Sequence, residues 1–416
     1  VKSAFLCTAA LLLAACYAST GRHGNLDGGE EASPDDGRED GAVDVAPEGY
    51  AFVDRDTPDR NIPVRLLFAE LPSIAWDGVG TTGLVYTGIV EGEPDNTIGF
   101  MPLDAFGNVT GDERIVLDTP GLWGSIPKLS GDEEGFLLCT LDESSYDSIV
   151  VLHLSAIGEV LARGATPAMS NIVSPVSGPV RLADHVFVAT TSFEDYETTV
   201  LYRFAYPSLS YESELATGGD ADWPILRKTP GADTLLLFYK VPSGALMADE
   251  ISPGLDVLRT FQVPREETFV DYSAAAGSRE WYAWFASMDY DDRQFFLETV
   301  SAGGFSSSSD HPADFYGSFM SSTASDVPSF GAVFSLFDRA RGIWDVRARL
   351  DALPQPDYLL DADLIVNDIV EDRTMDDGIH ADIAWTDGGF LVVWDEWRAP
   401  YNYTLFSSFI ALEAVP

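Results

Sequence analysis

Cysteine is nearly missing from this chain, with 3 in 416 residues. Cys7 and Cys16 both fall within the first 16 residues, in and just after an apolar run from Ala4 to Leu13 that follows Lys2. Cys139 is then alone in the body of the protein, so no internal disulfide staples the fold, and zinc or iron–sulfur sites built on cysteine are excluded. Phe136-Leu137-Leu138-Cys139-Thr140 reads as a buried strand, which makes Cys139 a small core hydrophobe rather than a nucleophile. Positive charge is scarce too. With 24 basic residues against 67 acidic, the formal net charge is -43, and a nucleic-acid partner is excluded because each phosphate contact needs Lys or Arg. There is no Gly-x-Ser-x-Gly elbow, no glycine loop that opens a helix onto a phosphate, and no His-x-x-x-His spacing among the 5 scattered histidines. Asp361-Ala362-Asp363 and Asp376-Asp377-Gly378 are the nearest approach to a calcium loop, and both are too short to define one. The sequence therefore calls for no cofactor, with Ca2+ the ion its carboxylates would suit.

What is present is a repeat. A short turn signature recurs as Leu103-Asp104-Ala105, Leu154-Ser155-Ala156, Val300-Ser301-Ala302, Leu350-Asp351-Ala352 and Leu412-Glu413-Ala414. The first two continue in step through Gly107 and Gly158, so each closes an apolar strand with a glycine-bearing hairpin. Between these turns lie seven tight apolar runs, around Leu84, Leu137, Phe187, Leu236, Tyr282, Val333 and Val392, each suited to a strand buried on both faces. The pattern predicts an all-β fold, a β-propeller of seven four-stranded blades, with six or eight also compatible because the sixth repeat is weak. The last repeat stops where a fourth strand would begin, and Pro63-Val64-Arg65-Leu66-Leu67-Phe68 is the expected N-terminal strand that closes the ring.

The ends set the address. Lys2, the apolar run and Leu13-Ala14-Ala15-Cys16 have the charged, hydrophobic, small-residue order of a secretory signal. Leu13-Ala14-Ala15-Cys16 resembles the lipobox of bacterial lipoproteins, and the resemblance implies signal cleavage before Cys16, a lipid anchor on that cysteine, and, with Tyr17 rather than Asp next, delivery to the outer membrane. The expected division is a signal peptide and lipobox at 1–16, a disordered acidic linker at 17–48 that cannot repay the entropy of ordering, and a propeller domain at 49–416. Ile383-Ala384-Trp385-Thr386-Asp387-Gly388-Gly389-Phe390-Leu391-Val392-Val393-Trp394-Asp395 is similar to repeats of large bacterial envelope lipoproteins. That likeness implies a fold and a location in the cell envelope, periplasmic or surface-facing, and not a reaction.

The loop after each second strand should lie on the same face as the connections between blades. Several of these loops are acidic, carrying Asp142 and Glu143, Glu194 and Asp195, Asp289, Asp291 and Asp292, and Asp395 and Glu396, with Trp397 among the interleaved aromatics. Such a rim would attract Ca2+, a cationic ligand or a carbohydrate that stacks on aromatic rings. The function expected from the sequence is a non-enzymatic binding or scaffolding module, anchored to the membrane by its lipid and meeting a cationic or carbohydrate ligand or an envelope protein. The alternative is a propeller glycoside hydrolase or lyase using rim carboxylates as acid and base.

Overall fold

The computed structural model describes residues 50–54, 60–93, 96–119, 126–142, 147–169, 172, 175, 177–192, 198–217, 222–229, 231–241, 246–262, 269–276, 282–288, 293–301, 304–313, 316–324, 329–338, 343–352, 364–365, 380–398 and 402–414. Residues 1–49, with Cys16 and the expected signal and linker, lie outside them. Residues 48–416 form one compact unit.

Among the described residues the chain folds into seven antiparallel sheets, six of them four-stranded meanders of successive strands and the last a five-stranded sheet. The first contains Leu67–Trp76, Thr82–Ile89, Asn96–Leu103 and Arg114–Thr119. The second contains Lys128–Asp132, Gly135–Leu141, Ile149–Leu154 and Val160–Ala165. In the third the strands are Val180–Leu182, His185–Ser192, Thr198–Ala205 and Ser210–Ala216, and in the fourth Asp222–Lys228, Leu235–Lys240, Leu246–Ile251 and Val257–Gln262. The fifth and sixth run from Phe269–Ala276 to Gly304–Ala313 and from Tyr316–Ala324 to Leu364–Ile365. The seventh comprises Ala381–Thr386, Gly389–Arg398 and Asn402–Ala414.

The first strands of the sheets meet one another in a closed ring. A Cβ at Gly131 would come within 2.4 Å of the Trp76 carbonyl oxygen, and one at Gly178 within 2.4 Å of the Leu129 carbonyl oxygen, so glycine is what lets the first three sheets approach. The Leu226 N–H donates to the Ser177 hydroxyl at 3.0 Å and joins the fourth sheet to the third. The first strands of the fourth to seventh sheets also touch in sequence order, and the Ile74 N–H donates to Asp382 at 2.9 Å to bring the seventh back to the first. A closed ring of four-stranded antiparallel meanders is a β-propeller.

The turn signature performs as its residues suggest. Asp104 Oδ1 accepts the N–H groups of Phe106 and Asn108 at 2.9 and 2.8 Å, and Gly107 takes φ of 82°. The Ser155 hydroxyl accepts the Glu159 N–H at 3.0 Å, and Gly158 takes φ of 79°. The apolar runs are the second strands, and successive side chains serve opposite neighbours. Leu84 and Tyr86 join a cluster with Leu391 and Val393 of the seventh sheet, whereas Val85 packs with Phe136 and Leu138 of the second. Cys139 is fully buried between the second and third sheets, and burial pushes its thiol pKa up.

The ring closes with different residues from those the sequence suggested. Tyr50–Asp54 and Arg60–Ile62 pair with Asn402–Ala414, in a register that sets Tyr50 against Ala414 and Ile62 against Leu405. Residues 63–66 are only the crossing to the first sheet, and Leu67 already belongs to its first strand. The crossing is pinned by Glu113, whose carboxylate accepts the Arg65 N–H at 2.6 Å, the Leu66 N–H at 3.3 Å and the Tyr86 hydroxyl at 2.5 Å.

Candidate functional site

The innermost strands enclose a cavity of about 590 Å³ on the ring axis, lined by the first, second, third, fourth and seventh sheets. That is within the usual range for a small-molecule site. Its walls are positioned by buried polar bonds. Asp382 accepts the Ser73 hydroxyl and the Ile74 N–H through Oδ2, both at 2.9 Å, and Ser73 in turn accepts the Leu129 N–H at 3.2 Å. Three sheets are thereby tied at one level of the channel. Further along, Asp77 folds the turn after the first strand by accepting the N–H groups of Val79, Gly80 and Thr81 through one oxygen at 2.8 to 2.9 Å.

Trp76 and Trp385 line the cavity from matching Ile-Ala-Trp segments of the first and seventh sheets, and both are half-buried. Trp385 is held edge-on against Phe390 with ring centroids 5.0 Å apart. The second, third and fourth sheets contribute cations to the lining: Lys128, Arg181, Arg227 and Lys228. The lining thus holds four basic residues beside four acidic ones, Asp77, Asp132, Glu133 and Asp382, in a chain where acids outnumber bases 67 to 24. Two of those acids spend an oxygen on backbone N–H groups, as described. Asp132 pairs with Arg181 at 3.1 Å. Arg181 also meets Glu134 at 2.6 Å and lies 4.0 Å over the Tyr206 ring, and Tyr206 donates to Glu134 at 2.7 Å. The hydrogen bonds from Tyr206 and Arg181 hold the Glu134 carboxyl below the usual carboxylate range. Lys128 and Lys228 make no ion pair among the described residues.

No family model and no curated protein matches this chain. Among solved structures it is similar to a protein of unknown function from Dyadobacter fermentans DSM 18053, at 12% identity over 86% of this chain and 99% of that one with a TM-score of 0.44. It is also similar to the β-propeller domain of the Trilobed protease from Pyrococcus furiosus, at 12% identity over 82% of this chain and 95% of that one, TM-score 0.46. A third is a subtype N11 neuraminidase-like protein of A/flat-faced bat/Peru/033/2010 (H18N11), at 9% identity over 74% and 95%, TM-score 0.47. The chemistry of the site is therefore read from its own residues.

The acidic rim predicted from the sequence is only partly described. Glu143, Glu194, Asp195, Asp289, Asp291 and Asp292 lie outside the described residues, and of Trp397 only the backbone is described, paired with Tyr403. Asp142 is half-buried, its N–H bonded to the Ser148 carbonyl at 2.8 Å. Asp395 and Glu396 belong to the strand Gly389–Arg398 rather than to a loop, and both are buried. Asp395 is wholly enclosed, accepting the Leu71 N–H at 2.9 Å, the His380 N–H at 2.8 Å and a contact from His380 Nδ1 at 2.8 Å. It holds Leu71 in a left-handed conformation, φ 55°, at an irregularity of the first strand. Burial works against the charged form of His380, but the charge and hydrogen bond of Asp395, aided by Glu70, outweigh it and raise the pKa. Among the described residues no group of three or more His, Cys, Asp or Glu is arranged to hold a metal ion.

Sequence reasoning did not select the cavity residues. Of these, Trp385 was visible only within the repeat segment from Ile383 to Asp395. A usable signal was nevertheless there: basic residues recur in the first strands of three consecutive repeats, as Lys128, Arg181 and Arg227-Lys228, while the first strands of the other four have none.

Proposed function

We propose that this protein is a carbohydrate-binding module, a seven-bladed propeller that receives its ligand in the axial cavity. The observation that carries this reading is the pair of half-buried tryptophans, Trp76 and Trp385, set among polar groups already held by backbone bonds. Flat aromatic faces accept the C–H face of a sugar ring, and fixed polar groups orient its hydroxyls at little entropic cost. Binding rather than turnover is favoured because Asp382 and Asp77 are engaged in holding the walls, which leaves them poorly placed to exchange protons with a substrate. In the same proposal the module begins near residue 49 and is tethered through the acidic segment 17–48 to a lipid on Cys16. This places it at the outer membrane of a bacterial envelope.

The test is a glycan-binding screen on the full chain, with Trp76→Ala and Trp385→Ala as partners. Binding lost in both variants at unchanged melting temperature supports the reading. Binding unaffected by either, or release of a cleaved sugar during the assay, overturns it.

A further inference from the structure

We infer that the sugar taken by this cavity is acidic, a short oligosaccharide whose carboxylate or sulfate sits against Lys128 and Lys228; this rests on the carbohydrate reading above. The argument is one of local against global charge. A chain at -43 repels anions at a distance, yet at an ionic strength of 0.15 M charges more than about 8 Å away are largely screened, and a concave site feels mainly its own walls.

At those walls the charge is balanced, four basic residues against four acidic ones. Asp382 bonds two sheets together, Asp77 closes its own turn and Asp132 is paired with Arg181, so three of the four lining carboxylates already have partners. Lys128 and Lys228 make no ion pair among the described residues, whereas Arg227 is already engaged, donating through Nη1 to the Leu226 carbonyl at 2.9 Å. Glu133 is the remaining carboxylate. Cations lining the same cavity as a pair of tryptophans suit a ligand with one ring to stack and one anionic group to neutralise. A long polyanion does not suit the site, because every part of it outside the cavity would meet the acidic surface.

The experiment is an array of neutral, basic and acidic oligosaccharides probed with the full chain, then with Lys128→Gln, Lys228→Gln and Trp76→Ala. Acidic sugars should be retained, and either lysine variant should weaken their binding by about tenfold, the loss of one charge-assisted hydrogen bond. Lys228 is exposed, so its variant keeps the fold and decides the matter even if Lys128→Gln does not. Retention of only neutral or basic sugars, still abolished by Trp76→Ala, would overturn the acidic inference and leave the carbohydrate reading standing. Acidic binding indifferent to both lysine variants would overturn it as well. Failure to retain any sugar would remove both readings together.

Discussion

The junction between the seventh and first sheets differs in kind from the junction between the second and third. Successive sheets are joined by the chain, and the second and third meet outside their core through the half-exposed Arg181, with its contacts to Asp132, Glu134 and Tyr206. The seventh and first lie more than 300 residues apart in sequence and meet through two buried carboxylates, Asp382 and Asp395, which bond the first strand at Ser73, Ile74 and Leu71. Thr386 adds a bond of 2.9 Å to the Ala105 carbonyl. Where the chain does not enforce neighbourhood, directional bonds inside a low-dielectric core define the register instead. A misaligned seam would leave buried charge unpaired, and that is far more costly than a lost surface pair.

The contrast can be broken in stages. The largest effect should come from removing the strands that close the seventh sheet. A chain shortened through Ile62 should melt on the order of 10 °C below one shortened only through Pro47, since it loses two paired strands and the buried Ile62. Equal melting temperatures in a thermal scan would mean that the ring does not depend on its closure. Next comes the seam itself. Asp395→Ala leaves the half-buried N–H groups of Leu71 and His380 without their acceptor and should cost about 3–5 kcal/mol by denaturant titration. A cost near that of an ordinary surface change would show that the buried carboxylate is not what holds the seam.

Smaller effects sharpen the comparison. Gly131→Ala should cost about 1–3 kcal/mol because the new methyl meets backbone of the neighbouring sheet rather than a side chain that can turn away; an unchanged protein would mean the inner strands have room to spread. His380 supplies a pH dependence. Its folded pKa lies above the ordinary 6.5, so its stabilising contribution is complete below that value and fades as pH rises through the folded pKa. The destabilisation caused by His380→Gln should accordingly be greater at pH 5.5 than at pH 9, and the reverse trend would contradict the pairing with Asp395. Arg181→Ala at the second junction should produce the smallest change in melting temperature, and raising the salt should reduce it further.

Some of this was legible from the residues. Asp104 and Ser155 with their following glycines announce local turns, because a hairpin is decided by a few neighbouring dihedrals and one short polar side chain. The runs at Leu84, Leu137 and Val392 announce strands enclosed on both faces. The roles of Asp382 and Asp395 were not legible, since nothing in the chain distinguishes two structural carboxylates from the other acids among 67. The closing strand was placed near Pro63 rather than at Tyr50 and Arg60 because the apolar content of residues 63–68 resembles a strand, whereas partners across the ring, at Ala414 and Ser407, are invisible in one dimension.

The sequence by itself determined the all-β repeat, the turns and the burial of Cys139, because these follow from period, glycine placement and hydrophobicity over a few residues. Only the tertiary structure decided which strands close the ring, which carboxylates become seam rather than surface, and that Trp76, Trp385 and four basic residues share one cavity. Those depend on contacts between segments more than 300 residues apart, whose meeting is governed by closure of the whole ring and not by any local preference of the chain.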